Sequence, residues 1–219
     1  MSILFAQLVN LLGAVLLLLA FAMISQRRIL SLIDLFTLQG ATLVVSTAAV
    51  GYVTQQPHLY VSAGLTLALK VVLIPALLHR VVDRLDVRRD VETLINIPTT
   101  MLIGIALVIF AFALSAPIAK LSSTIAGGSL GIALACVLLS FLMMITRTKA
   151  VPQVIGFLAM ENGLFFAATC ATYGMPMVVE LGIGLDVLIG VLILGVFMFQ
   201  IREQFDSLDI HHLERLKDD

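Results

Sequence analysis

Long continuous apolar segments constrain the fold of this chain more than any other feature. Seven segments of roughly 20 residues each are nearly free of charge, and an α-helix needs about 20 apolar residues to cross a membrane. A membrane barrel would instead show alternating apolar residues. The sequence therefore predicts an all-α integral membrane protein with about seven transmembrane helices. The predicted spans are Leu4–Ile24, Ile29–Tyr52, Leu59–Leu78, Pro98–Leu114, Ile125–Ile145, Val151–Tyr173 and Met177–Phe199.

The composition agrees with a multi-pass membrane protein. Hydrophobic residues make up 60% of the chain and charged residues 12%, whereas about a quarter of the residues of a soluble domain are charged. The first apolar run is too long for a cleavable signal peptide and lacks a basic start, so we expect it to be a true span. Cys136 and Cys170 lie inside apolar segments and lack the spacing of a disulfide framework or a metal site.

Positive charges predict the orientation of the chain. Of its 13 Lys and Arg residues, Lys70 lies within a span, Lys120 lies on one side and the other eleven lie on the opposite side. Because cytoplasmic loops are enriched in Lys and Arg, we expect the N-terminus outside and the C-terminus in the cytoplasm. The eleven residues are Arg27, Arg28, Arg80, Arg84, Arg88, Arg89, Arg147, Lys149, Arg202, Arg215 and Lys217.

Two parts of the sequence resemble each other at an offset of about 122 residues. HRVVDRLDVRRDVE at 79–92 aligns with IREQFDSLDIHHLE at 201–214. LQGATLVVSTAA at 38–49 aligns with ENGLFFAATCAT at 161–172. Spans 1–3 and 5–7 would then form a parallel repeat, although a chance match of apolar segments is an equally good explanation. The units are an N-terminal three-span unit (1–95), a linking span (96–124) and a C-terminal three-span unit with a cytoplasmic tail (125–219).

Three full charges lie in the middle of apolar segments. Lys70 lies in TLALKVVLIPALL, Glu161 in IGFLAMENGLFFA and Asp186 in GIGLDVLIGVLIL. Such a side chain costs about 2.5–3.5 kcal/mol at the centre of a helix on insertion scales. With a rise of 1.5 Å per residue, the three lie about 13, 16 and 20 Å from the cytoplasmic ends of their spans. Gln39 reaches a similar depth, so the sequence predicts a lateral row of polar groups near one plane.

A polar row of this kind suits the movement of a proton or a small ion. Buried charges are tolerated when they are paired or hydrated, and Lys70 with either carboxylate would form such a pair. Lys70, Glu161 and Asp186 are therefore the candidate relay sites. The candidate extensions of the path are Gln39, Asn162, Asp34, His58 and Glu180. Pro75 removes a backbone hydrogen bond next to the lysine and predicts a kink there.

Each of these residues also has a structural interpretation. Lys70 could form a salt bridge to a neighbouring subunit, and the buried acids could act through interhelical hydrogen bonds. For Asp34, six residues past Arg28, pairing with the basic turn is favoured. His58 and Glu180 lie at the outer ends of their spans, where they are either solvated or mark a proton exit.

No motif in the sequence indicates a catalytic centre. There is no phosphate-binding G-x-x-x-x-G-K-[ST] loop, no cysteine cluster for an iron–sulfur centre, and no protease motif. The histidines are not spaced across spans as haem ligands would be. We therefore expect no metal or cofactor in this chain and no nucleic-acid partner, and we expect the driving reaction in other subunits.

Spans 5–7 resemble a known family of small membrane subunits. The segments TRTKAVPQVIGFLAMENGLFF, GIGLDVLIGVLIL and FDSLDIHHLERL are similar to the K subunit of respiratory complex I and the C subunit of Mrp-type antiporters. The resemblance implies three spans with a buried acid in each of the second and third. Asp186 falls on the second acid. The family pattern would place the first at Leu158, and Glu161 lies one helical turn further on roughly the same face.

The whole chain, with TLALKVVLIPALL and the MENG stretch, resembles component E of hydrogenase-4 and formate hydrogenlyase-type complexes. That resemblance implies a membrane-arm subunit of a bacterial or archaeal cytoplasmic membrane, beside antiporter-like subunits. Peripheral partners would hold the NiFe centre and the iron–sulfur clusters. The expected function is proton or Na⁺ translocation coupled to redox chemistry in those partners. A subunit of a cation/proton antiporter and a passive membrane scaffold are the alternatives.

Overall fold

The computed structural model describes residues 2–84, 93–121, 126–172, 182 and 188–190. These residues are almost entirely helical. A π-helical segment, Leu67–Leu73, joins α3 directly to α4, and the three pieces together form the third span. The helices are α1 (Ser2–Ser25), α2 (Ile29–Thr54), α3 (Pro57–Thr66), α4 (Ile74–Arg84), α5 (Ile97–Leu121), α6 (Ala126–Thr146) and α7 (Ala150–Thr172).

Six helices in the described part of the chain are long and apolar enough to cross a membrane. The prediction of an all-α, multi-pass membrane protein is therefore confirmed, and the six helices coincide with the first six predicted spans. The seventh, Met177–Phe199, lies outside the described residues except for 182 and 188–190. Orientation and the internal repeat stay predictions. The six segments are Gln7–Ser25, Ile29–Thr54, Pro57–Asp83, Ile97–Pro117, Ser129–Thr146 and Ala150–Cys170.

Helices α2 and α6 organise the packing. Helix α2 contacts α1, α7 and all three pieces of the third span, and α6 contacts α1, α5 and α7. Phe36 of α2, Leu139 of α6 and Phe166 of α7 are fully buried in the apolar core between them. Helix α5 lies at the edge, with Leu102 and Ile109 exposed, as expected for side chains that face lipid.

Helix α2 and the third span approach each other closely at two glycines. A Cβ added to Gly40 would lie 3.3 Å from Lys70 Cβ, and one added to Gly51 would lie 3.0 Å from Leu59 Cβ. The contacts are 11 residues apart on both helices, so the two antiparallel spans stay in register between them. Small residues allow backbones to come this close in membranes. The contact at Gly40 places the backbone of Lys70 directly against α2.

The backbone around Lys70 is π-helical rather than α-helical. The segment Leu67–Leu73 has the lysine at its centre, and Pro75 lies two residues after its end. Proline lacks the N–H that would continue an α-helical ladder, and π-helical turns occur frequently at functional sites. The interruption expected beside the lysine therefore takes the form of a π-helical segment. Lys70 points into the core, whereas Leu67 and Val72 are exposed.

Arg147, predicted as a cytoplasmic loop charge, is buried and binds the end of a helix. The side chain is only 2% exposed, just after the end of α6. Its Nη2 donates hydrogen bonds to the carbonyl of Ile24 at 2.6 Å and that of Met23 at 3.3 Å. These carbonyls belong to the last turn of α1, where backbone oxygens lack helical partners and carry partial negative charge. Burial lowers the pKa of Arg147, although an arginine keeps its charge in proteins.

We predict that Arg147→Met destabilises the protein, because the Ile24 carbonyl at the end of α1 loses its donor, whereas the Met23 carbonyl still accepts from the backbone N–H of Gln26. Leaving a buried acceptor unsatisfied costs about 1–3 kcal/mol, so the thermal unfolding midpoint of the purified chain in detergent should fall. Arg28→Met is the matched control, since Arg28 is an exposed arginine of the same predicted cytoplasmic side. Equal midpoints for the two variants would contradict the capping role.

Candidate functional site

A buried ion pair joins the third span to α7. Lys70 Nζ lies 2.9 Å from Glu161 Oε2, and the two residues are 1% and 5% exposed. Two of the three predicted relay residues are thus brought into direct contact. The third, Asp186, lies outside the described residues, as does Glu180.

The ion pair lies at the middle of both helices. Lys70 is 13 residues from either end of the span Pro57–Asp83, and Glu161 is 11 residues from either end of α7. At 1.5 Å per residue, each residue is about 16–20 Å along the helix from the nearest end. The pair therefore lies near the midplane of the bundle, where bulk water is most distant.

Two amide side chains extend the pair into α2. Lys70 Nζ donates a hydrogen bond to Asn162 Oδ1 at 2.8 Å, and Asn162 Nδ2 donates to Gln39 Oε1 at 3.2 Å. Both amides are completely buried. The amide of Asn162 thus accepts from the lysine and donates to the glutamine. We refer to Gln39, Lys70, Glu161 and Asn162 as the Lys70 cluster.

Polar and aromatic side chains surround the ammonium of Lys70. Its ammonium has three donors, and two acceptors, Glu161 and Asn162, lie within hydrogen-bonding distance. The ring of Phe165 lies 5.9 Å from Nζ, measured to the ring centroid, within the range of a cation–π contact. Pairing together with further hydrogen bonds is what offsets the cost of burying two ions.

The two sides of the cluster differ in their surroundings. Gln39 Nε2 has no hydrogen-bond partner among the described residues. On the other side, a Cβ added to Gly182 would lie 3.6 Å from Glu161 Oε1 and 3.1 Å from a ring carbon of Phe165. The backbone at Gly182, in the predicted seventh span, therefore packs close to the Glu161 carboxylate.

Lys70 Nζ and Glu161 Oε2, 2.9 Å apart, are close enough for direct proton transfer. Transfer of one proton from the ammonium to the carboxylate would replace two buried charges with two neutral groups. Removal of either partner leaves an uncompensated buried charge, which costs about 3–5 kcal/mol. The two residues therefore depend on each other to offset the cost of burying their charges.

The remaining predicted residues lie away from the cluster. Asp34 is exposed on α2, with Oδ1 4.0 Å from His79 Nε2 of α4, and its predicted pairing with the basic turn at Arg28 stays a prediction. His58 is partly buried in the first turn of α3. Leu158, where the family pattern would place an acid, is fully buried in the apolar core. Within the described part of the chain, no group of His, Cys, Asp or Glu is arranged to hold a metal ion.

Comparison with known proteins gives one relative of similar length. The chain is 32% identical over 195 residues to the uncharacterized protein Rv0085 of Mycobacterium tuberculosis (strain ATCC 25618 / H37Rv), and the match covers 88% of both chains. The chain belongs to the same family as this protein. No protein-family model matches the sequence, and no solved structure matches it.

We predict strong coupling between Lys70 and Glu161 in stability. Lys70→Met strands a buried carboxylate and should cost about 3–5 kcal/mol, while the double variant Lys70→Met/Glu161→Gln removes both charges and should unfold closer to the wild-type midpoint. Asp34→Asn is the control, because it neutralises a side chain that is 70% exposed. The cycle is measured by thermal unfolding in detergent. Strict additivity of the two single substitutions would show that the residues do not act as a pair.

Proposed function

We propose that this chain is an ion-translocating membrane subunit of a redox-driven complex. Its place would be the membrane arm of a complex I-like assembly of the group 4 NiFe hydrogenase or formate hydrogenlyase type, in a bacterial or archaeal cytoplasmic membrane. The observation that carries the proposal is the Lys70–Glu161 ion pair at mid-span. The resemblance of the sequence to component E of such complexes supplies the type of assembly.

The position of the charges supports a transport role over a purely structural one. Helices associate in membranes through packing of small residues and neutral hydrogen bonds, and the contact at Gly40 already provides such packing. A full ion pair adds a cost of desolvation that a pair of well-packed apolar residues would avoid. Ionisable residues inside membrane proteins generally belong to ion or proton pathways.

The geometry suggests how the relay would work. Lys70 lies within reach of two acceptors on consecutive residues of α7, Glu161 and Asn162. When a proton arrives on Glu161, the attraction to the carboxylate is lost, but Lys70 keeps its bond to Asn162. When the proton leaves, the ion pair forms again. A charge that changes in a neighbouring subunit would bias this exchange and so couple it to chemistry elsewhere.

The cluster would form one section of a longer lateral path. Gln39 on α2 would extend it on one side, and Asp186 of the predicted seventh span would extend it on the other. Antiporter-like membrane subunits are the expected neighbours. The NiFe centre and the iron–sulfur clusters belong, in this proposal, to peripheral partners, and this chain contributes no redox centre of its own. The transported ion would be H⁺, with Na⁺ as the variant that carboxylates also support.

The test is ion pumping by the intact complex after Glu161→Gln. The complex is purified with its native partners, reconstituted into vesicles, and assayed for proton uptake per electron transferred. We expect pumping to fall at least about tenfold, because a positioned proton-transfer group contributes about 10²–10⁴-fold to such steps. Electron transfer and subunit composition should persist.

Two further variants make the result specific. Glu161→Asp keeps an acid and should retain part of the pumping, whereas Asp34→Asn should leave it unchanged. Full pumping after neutralisation of Lys70, Glu161 and Asp186 together would support a passive scaffold and overturn the proposal. Pumping that requires Na⁺ rather than H⁺ would identify the ion without changing the role of the cluster.

A further inference from the structure

A layer of buried hydroxyl groups lies on one side of the Lys70 cluster. It is on the side of the membrane at which α2 ends and α3 begins, the predicted outer side. The same three elements that form the cluster, α2, the third span and α7, contribute to it, and each member is at most 3% exposed. This hydroxyl layer consists of Ser46, Thr47, Ser62, Thr66 and Thr169.

The third span carries a continuous polar series toward that side. His58, Ser62, Thr66 and Lys70 follow one another at intervals of four residues. Residues four apart lie on one helix face, and from Ser62 to Lys70 this face is buried. At 1.5 Å per residue, Thr66 lies about 6 Å and Ser62 about 12 Å from the level of Lys70. His58 lies partly buried at the end of the series.

Helices α2 and α7 match the third span at the same level. Ser46 follows Gln39 by seven residues and Thr169 follows Asn162 by seven. Seven residues are close to two turns, so each hydroxyl lies about 10 Å beyond the amide, on the same face of its helix. As the second and sixth spans, α2 and α7 run in the same direction. Their hydroxyls therefore lie on the same side of the cluster.

Two serines in the layer have no hydrogen-bond partner within the described residues. They are Ser46 Oγ and Ser62 Oγ, both on residues that are 1% exposed. A helical hydroxyl ordinarily bonds to the carbonyl four residues earlier, as Thr169 does to Phe165 at 2.8 Å. A buried polar group without a partner costs about 1–3 kcal/mol. Buried water satisfies such groups where several polar atoms surround it.

The opposite half of the same three helices is apolar at matching distances. Eight residues beyond Lys70 is Leu78, seven residues before Gln39 is Leu32, and seven residues before Asn162 is Ile155. All three are at most 1% exposed. At these matched positions, the three helices are thus polar toward one side of the membrane and apolar toward the other.

We infer that the hydroxyl layer binds a chain of water molecules that connects the Lys70 cluster with the surface near His58. A proton moves along such a chain by entering one water or hydroxyl while another proton leaves it, so no atom is consumed. We call this water chain the half-channel, because it opens the relay to one side of the membrane only. Its use rests on the proposed transport function, whereas its hydration does not.

The test is the reactivity of cysteines placed at equal distances on either side of Lys70. Ser62→Cys lies eight residues before the lysine and Leu78→Cys lies eight after it. Both are made in the intact complex after Cys136→Ala and Cys170→Ala. Membrane vesicles of both orientations are treated with a charged, impermeant methanethiosulfonate, and modification of the chain is followed by mass spectrometry.

The thiolate is the reactive form of cysteine, and a thiol ionises readily only where water reaches it. We therefore expect Ser62→Cys to be modified at least about tenfold faster than Leu78→Cys. The modification should occur from the side that carries the connection between α2 and α3. A second pair, Ser46→Cys against Leu32→Cys, repeats the comparison on α2, so a variant that fails to assemble does not remove the test. Equal reactivity within both pairs, or modification from the opposite side only, would overturn the half-channel.

The cysteine-labelling test and the pumping assay can fail independently of each other. If Ser62→Cys reacts as expected while Glu161→Gln pumps normally, the water path exists and the transport proposal fails. If Ser62→Cys is inert while Glu161→Gln stops pumping, the relay stands and the half-channel is wrong.

Discussion

The contact between Lys70 and Glu161 is the interaction on which the described structure most depends. It places two ions near the middle of a membrane bundle, where an isolated charge is costly. The cost is reduced only by close pairing and by hydrogen bonds to the remaining donors and acceptors. Three helices must therefore be held in register at one level. Asn162 and Gln39 complete that register by joining α7 to α2 through their amides.

The backbone around the lysine is adapted to this requirement. Gly40 allows α2 to lie against the Lys70 backbone, and the π-helical segment turns the lysine into the core while its apolar neighbours face outward. A second buried cation, Arg147, is accommodated differently, by carbonyls at the end of α1. Arg147 neutralises a helix end, whereas the acceptor of Lys70 is an acid that can itself take up a proton. In the proposed function, only the second arrangement changes its charge during a transport cycle.

The sequence predicted the depth of the cluster but not its full composition. Six spans follow from their length and apolar character alone, and the depth of Lys70 and Glu161 follows from counting residues. The direction in which each side chain points was not predictable, because membrane helices are apolar on nearly every face and give little amphipathic signal. Asn162 was therefore predicted only as an extension of the path, although it binds Lys70 directly. The pairing with Glu161 was one of two options.

Other features were missed for related reasons. In a count of positive charges, Arg147 is equivalent to the exposed Arg28, so its burial gave no signal. Serines in membrane helices usually bond to their own backbone, so the sequence did not predict unsatisfied hydroxyl groups at Ser46 and Ser62. Pro75 did predict an interruption beside the lysine, but not a π-helical one. In each case the missing information was the packing between helices rather than the character of the residue.

The central claim is that Glu161 gains and loses a proton while the complex works. Infrared difference spectroscopy of the intact complex, compared at rest and during turnover, detects the C=O stretch of carboxyl groups that become protonated. The account predicts a carboxyl band that appears during turnover and is absent from the Glu161→Gln variant. If the variant retains every carboxyl band of the wild-type complex, the protonation of Glu161 does not change during turnover and the central claim is wrong.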